Sequence, residues 1–385
     1  MENQPENSAP ALDGLRQEKA REYARIQRRW MLVDLTIGMF YLIFWLMLGW
    51  NVHLREILTT WTGSQFLLVL LFGLIFGGFY QVISLPLSYY TGYILPHRYE
   101  TSNQTHKGWI MDQIKSAAMG AVLGGLVIEV VYWILRSAPG NWWLFTWLFL
   151  FVFSVLLANL APVLLMPIFN KFTLLSEEYA ELSQRLIRLA ERANVQVQGV
   201  FTYDMSRRTK AANAALTGLG NTRRIILGDT LLKEFTADEI EGVLAHELGH
   251  QAHQDMWLLI AFGGFTNLIG LALAARVFQL GSPLVGVGSA GDVAGMPLLA
   301  LTLGIFGLIS SPLENTFSRW REKLADDYAL QTTGRGDVLA AAFTRLANQN
   351  LSEVDPEPWV ELLLYSHPSL ARRIARARAY AASHN

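Results

Sequence analysis

The 385-residue chain contains no cysteine. Disulfides and thiolate metal sites are therefore excluded, and any bound metal must be held by nitrogen and oxygen. Charge is scarce as well: Asp, Glu, Lys and Arg make up 16% of the residues against 52% hydrophobic, too apolar a balance for a soluble protein of this size. A formal net charge of −1 gives no electrostatic footprint for a nucleic-acid partner. Internal repeats and low-complexity tracts are missing too. Residues 1–30 are polar, with six basic residues from Arg16 to Arg29, and lack the apolar core of a cleavable signal peptide. The first apolar run is thus expected to stay as an anchor.

What the chain has in quantity is long apolar runs. Six approach the roughly 20 residues a membrane helix needs: 31–50, 66–90, 117–135, 142–165, 256–280 and 296–313. Basic residues favour the cytoplasmic side of short loops. The N-terminal tail has six of them and the loop 91–116 has Arg98, Lys107 and Lys115, whereas loops 51–65, 136–141 and 281–295 hold one, one and none. Both chain ends are therefore expected in the cytoplasm. Tryptophans such as Trp30, Trp50, Trp142 and Trp257 stand near the run ends, as an interfacial aromatic belt requires. Glu129 lies inside the third run and is left unassigned.

This pattern divides the chain into a tail (1–30), a four-helix membrane region (31–170), a polar segment (171–255), a membrane hairpin (256–313) and a second polar segment (314–385). In the first polar segment, 176–193 repeats its leucines at helical spacing, 195–203 alternates like a strand, and 213–232 reads as two short strands around a Gly-rich turn. Thr236 with Glu239 forms a capping-box signature at the start of the helix that carries "HELGH".

On that helix His246 and His250, four apart, share a face and can aim at one metal ion. Glu247 beside them is placed to take a proton from a water activated there, the chemistry of the H-E-x-x-H motif. A zinc site of this type needs a third protein ligand. His253 and Asp255 follow on the same helix, and a third ligand on one straight helix cannot close a tetrahedron. The better source is "SRWREKLADDYAL", where Glu322 and Asp326 stand four apart and can serve as ligand and orienter. The plainer reading of that pair is a solvated acidic face with Arg319, Arg321 and Lys323 as partners.

"HELGH", "REKLADDYA", "NAALTGLG", "RRIILGDTLL" and "SHPSLARRI" follow one another in the order found in the type I CAAX prenyl proteases, and "LPLSYYTGYILPHRYETSNQT" and "LMPIFNKFTLL" also resemble that family's membrane region. The likeness covers most of residues 66–380. It implies that His246, His250 and Glu322 bind one Zn2+ per chain, with Glu247 as general base. Asp326 would support a zinc histidine and has the place of an acid assigned as proton donor. Asn213 and Ala214 match the family's Asn-Ala motif at the substrate, and His367 and Arg373 match its His-Pro-x-x-x-x-Arg pattern. Ala211, Ala212 and Arg372 depart from that pattern. Structurally, Asn213 could simply shape a turn, His367 could precede a helix start, and Arg373 could be one charge of a basic helix.

The expected fold is a polytopic α-helical membrane protein with a zincin-like α/β metalloprotease domain split by the last transmembrane hairpin. The expected activity is hydrolysis of peptide bonds at the cytoplasmic face of a bacterial plasma membrane, where a lipid-modified or membrane-embedded protein substrate is concentrated beside the metal. Membrane lipids are the other expected partners. A quality-control protease is the rival within enzymes. A six-helix transporter or inert metal scaffold is the rival outside them, and it lacks the inverted repeats a transporter shows. The pairs Gly73/Gly77 and Gly120/Gly124 are expected to let membrane helices pack closely.

Overall fold

The computed structural model describes residues 10–218 and 220–384. The start of the expected tail, residues 1–9, and Leu219 in the expected Gly-rich turn lie outside them.

Among the described residues, six helices are long and apolar enough to cross a membrane: Gly14–Met47, Gln65–Arg98, His106–Ser137, Trp142–Phe169, Asp255–Val285 and Val293–Thr333. Phe40, Val82, Val122 and Leu148 remain exposed on them, as helix faces turned to lipid require. Two depart from plain α-helix at Tyr90–Ile94 and Ala161–Leu165, where the turns widen to π geometry beside Pro86 and Pro162. Proline lacks the N–H that would continue the ladder, and the wider turn absorbs the mismatch.

The first helix begins well before its apolar run. Asp13 caps it, accepting from the N–H groups of Leu15 and Arg16, and the helix continues unbroken from Gly14. Residues 14–30 are therefore a helical arm that projects from the membrane.

The glycine pairs do not do what their spacing suggested. A Cβ on Gly77, Gly120 or Gly124 would meet nothing within 4 Å, and only Gly73 has a close neighbour, the Ile128 side chain. The second and third membrane helices instead leave between them a cavity of about 480 Å³ lined by these glycines. Small residues permit close approach but supply no contact of their own.

Outside the membrane helices a four-stranded sheet forms from β1 (Phe172–Leu174), β2 (Val200–Tyr203), β3 (Ala214–Thr217) and β4 (Arg224–Gly228) in the order β1-β2-β4-β3. Of the expected strand at 195–203, only the last four residues pair. β4 reads as a continuous apolar run because it is buried on both faces, with Ile225, Ile226 and Leu227 at 2% exposure or less. It pairs parallel with β2 and antiparallel with β3, which leaves β3 at the sheet edge.

One buried cluster joins this sheet to helices from both ends of the chain. Leu186, Ile225, Leu231, Ile240, Leu244 and Leu248 pack with Ala329, Leu330, Leu339, Phe343 and Ile374. The two polar segments thus share a single core, although a membrane hairpin of some 60 residues separates them in sequence.

Candidate active site

The HELGH helix spans Ala237–Ala252, and its capping box is complete: Thr236 accepts from Glu239 N–H while the Glu239 carboxylate accepts from Thr236 N–H. It crosses the C-terminal part of the helix Met296–Thr333, which carries Glu322. Gly249 makes the crossing tight, because a Cβ there would lie 2.8 Å from Ala325 Cα. His246, His250 and Glu322 consequently converge, each offering one ligand atom, all within 4.8 Å of one another. Buried Glu322 Oε2 has no hydrogen-bond partner among the described residues. A buried carboxylate oxygen without a hydrogen bond, 3.4 Å from an imidazole Nε2, is an environment a cation fits.

Each histidine is held from behind by a carboxylate that is itself held by an arginine. His246 Nδ1 is 2.9 Å from Asp326 Oδ1, and Arg373 donates to both oxygens of Asp326, at 2.9 and 2.7 Å. On the other side His250 Nδ1 is 2.7 Å from Asp255 Oδ2, and Arg321 Nε donates to Asp255 Oδ1 at 2.5 Å. Both Nε2 atoms are thereby turned toward the metal position, since the carboxylate fixes ring orientation and tautomer. Asp255 and Asp326 are only 2% and 3% exposed.

Asp255 is the residue that sequence reasoning missed. The sequence places it on one straight helix with the histidines, but the helix ends at Ala252 and Gln254 turns in the left-handed region, φ +55°. The turn brings Asp255 back onto His250. The signal was the carboxylate five residues past the motif, with Arg321 one residue before Glu322. His253 Nδ1 donates to the Gly249 carbonyl at 2.9 Å, and the side chain stands outside the metal group.

Burial disfavours a charged His246, yet its hydrogen bonds to Asp326 and Glu322 outweigh burial and hold the ring up at about 9. His250 is shifted up for the same reason, burial being overcome first by Glu322.

Among the other expected site residues, Glu247 is half-buried between the two histidines on the same helix. His367 Nε2 lies 3.2 Å from Glu322 Oε1, and its side chain is 61% exposed. Asn213 is exposed at the start of β3, with its carbonyl accepting from Gly228 N–H. Ala214 is buried in the core, so only its backbone can face a peptide.

Side chains that could hold a metal, on a helix that precedes one membrane helix and on the end of another, with a glutamate beside the histidines, define a membrane metallopeptidase. Residues 176–381 match the family described as Peptidase family M48, and residues 1–171 match "CAAX prenyl protease N-terminal, five membrane helices". The chain belongs to peptidase family M48 and is an integral membrane metalloendopeptidase. It is 29% identical to the uncharacterized metalloprotease YhfN of Bacillus subtilis, over 93% of this chain and 84% of that one. With CAAX prenyl protease 1 of Saccharomyces cerevisiae the identity is 31%, over 76% and 68%. The crystal structure of S. mikatae Ste24p superposes with a TM-score of 0.84 at 26% identity, covering 96% of this chain and 91% of that one. Against the five helices in the family description, the described residues up to 171 include four long apolar helices and the shorter helix Trp50–Trp61.

Proposed function

We propose that the metal is a single zinc ion held by His246, His250 and Glu322, and that the protein cleaves lipid-modified or membrane-anchored substrates at the cytoplasmic face. The observation that carries the reading is the spacing of the three ligands. Tetrahedral zinc with bonds of about 2.0–2.1 Å separates neighbouring ligand atoms by about 3.3–3.4 Å. Here the two Nε2 atoms are 3.2 Å apart, and the Glu322 carboxylate presents one oxygen to each, Oε2 at 3.4 Å from His246 and Oε1 at 3.4 Å from His250.

Bound zinc supplies a Lewis acid for the scissile carbonyl and lowers the pKa of water. The rest falls to the chain's own side chains. Glu247 takes the proton of the attacking water and returns it to the leaving amine. His367, exposed and beside Glu322, donates from Nε2 to the developing oxyanion. Arg373 is less suited to that task, because it is buried and its Nε and Nη2 are engaged by Asp326. Asp326 likewise acts through His246 by orienting it. The edge strand β3, beginning at Asn213–Ala214, offers free backbone groups on which an extended peptide can add as a further strand.

The substrate class is supported by the site's position and by the relatives. The helix bearing His250 gives way at Asp255 to a membrane helix, so a lipid-anchored peptide is held beside the metal by its own anchor. Several relatives bear the name CAAX prenyl protease. A domain assembled from 171–255 and 314–385 around the hairpin 256–313 requires both segments on one membrane side, and the basic-residue count makes that side cytoplasmic.

The test is mass spectrometry of products from matched farnesylated and unmodified peptides incubated with the protein in detergent, with and without a zinc chelator. Chelator-sensitive cleavage of the farnesylated peptide is expected. Equal cleavage of both would remove the lipid from the recognition, and cleavage that survives chelation would overturn the zinc assignment.

A further inference from the structure

The arm of the first membrane helix does more than lead into the bilayer: it grips the segment that carries His367. Gln17, only 9% exposed, donates from Nε2 to the Ser352 carbonyl at 3.2 Å and accepts the Val354 N–H at 3.3 Å. Eleven residues further along the arm, Arg28 Nη1 donates to Glu353 Oε2 at 2.5 Å. The Tyr365 hydroxyl donates to that same oxygen at 3.3 Å. Glu353 is 6% exposed on its side chain, so its charge depends on Arg28 for compensation.

These contacts reach the chemistry over a short path. Tyr365 stands two residues before His367, and the Val354 carbonyl accepts the N–H of Ala371, in the first turn of the helix Leu370–His384 that carries Arg373. A second clamp comes from the metal-binding helix. Arg319, three residues before Glu322, donates to the carbonyls of Glu361 and Tyr365 at 2.8 and 2.6 Å. His367 has little to fix it besides Glu322 and the neighbouring Ser366. Its place over the metal group is therefore set by how Tyr365 is held.

We infer that Arg28, Glu353 and Tyr365 form a positioning relay through which the first membrane helix holds the His367 turn against the metal site. The inference rests on His367 acting at the oxyanion. A bland alternative exists for any buried ion pair, namely that it only stabilises the fold, and the two differ in what they couple to. A positioning relay has no effect once His367 is gone, whereas a fold-stabilising pair costs the same with or without it.

The experiment measures kcat, KM, zinc content and Tm for the full-length zinc-loaded protein in detergent, on the peptide that the wild type cleaves. The variants are Arg28→Met, Arg28→Lys and Tyr365→Phe, each alone and combined with His367→Gln. A geometric loosening predicts that Arg28→Met lowers kcat roughly ten-fold with KM and zinc content unchanged. Arg28→Lys should recover most of that loss. In the His367→Gln background neither Arg28→Met nor Tyr365→Phe should lower kcat further. The same fold-loss in both backgrounds, or a loss that follows zinc content or Tm, would overturn the relay. Tyr365→Phe removes one hydroxyl and keeps the test open if Arg28→Met does not fold. His367→Gln alone at the wild-type rate would instead overturn the oxyanion reading, and the relay with it.

Discussion

Gly249 and Ala325 meet backbone to backbone: a Cβ on Gly249 would lie 2.8 Å from Ala325 Cα and 3.0 Å from its carbonyl oxygen. This contact sets the distance between the helix that carries His246 and His250 and the helix that carries Glu322. Gly249→Ala must push them apart, because the obstacle is backbone rather than the end of a flexible side chain. Overpacking of this kind costs about 1–3 kcal/mol. The variant should bind zinc more than about ten-fold more weakly while keeping its membrane helices. Competition with a chromogenic chelator measures this, and unchanged affinity would mean the helices can slide without cost.

Asp255 yields the next prediction. Loss of such an orienting carboxylate typically costs 10–100-fold in metal affinity. Asp255→Asn, which keeps the shape of the side chain but removes its charge, should fall in that range without changing the ligand set. X-ray absorption at the zinc edge would then show the same nitrogen and oxygen shell as the wild type. A loss of zinc beyond recovery would promote Asp255 from orienter to ligand.

The pH dependence follows from the metal-free state. His246 is held up at about 9, whereas an unfolded histidine titrates near 6.5. The raised value means that this group contributes to folding stability fully below pH about 6.5 and loses the contribution as pH rises through about 9. The metal-free protein should therefore have a lower Tm at pH 9.5 than at pH 6 from this source. Zinc needs the neutral ring, so binding at pH 7 must release at least one proton, and affinity should climb with pH up to about 9. Calorimetry in buffers of different ionisation enthalpy counts the protons; none released would contradict the shift.

Topology is testable because the chain has no native cysteine. Single cysteines at Ser176, Ser289 and Ser383, all exposed, can be probed with a membrane-impermeant thiol reagent on sealed cells. Only Ser289→Cys should be labelled before the cells are opened. Labelling of Ser383→Cys on intact cells would put the C-terminal segment outside and sink the proposed orientation.

Local features were legible in the sequence and long-range ones were not. The HELGH helix, its Thr236–Glu239 cap and the six apolar runs depend on neighbours within a few residues, and each is where the pattern placed it. Asp255 escaped because its role depends on one left-handed residue, Gln254, that breaks a helix otherwise read as straight. The Arg28–Glu353 pair joins residues 325 apart, and nothing in either local pattern distinguishes it from a solvated charge. The glycine pairs failed for a different reason: small residues mark where helices can approach, not where they do. The structure brings Glu322, 76 residues away in the chain, beside His246, and places Asp326 against the same histidine, while their roles as ligand and orienter belong to the proposal.

In the proposed mechanism Glu247 acts on water while His246, His250 and Glu322 hold the metal. Zinc content and product formation measured together on one preparation of Glu247→Gln test it most directly. The account predicts one zinc per chain and no detectable product from a peptide that the wild type cleaves, a fall of at least about 10²-fold. Product at the wild-type rate would show that Glu247 is not the base. Zinc lost in parallel with activity would show that it belongs to the metal site.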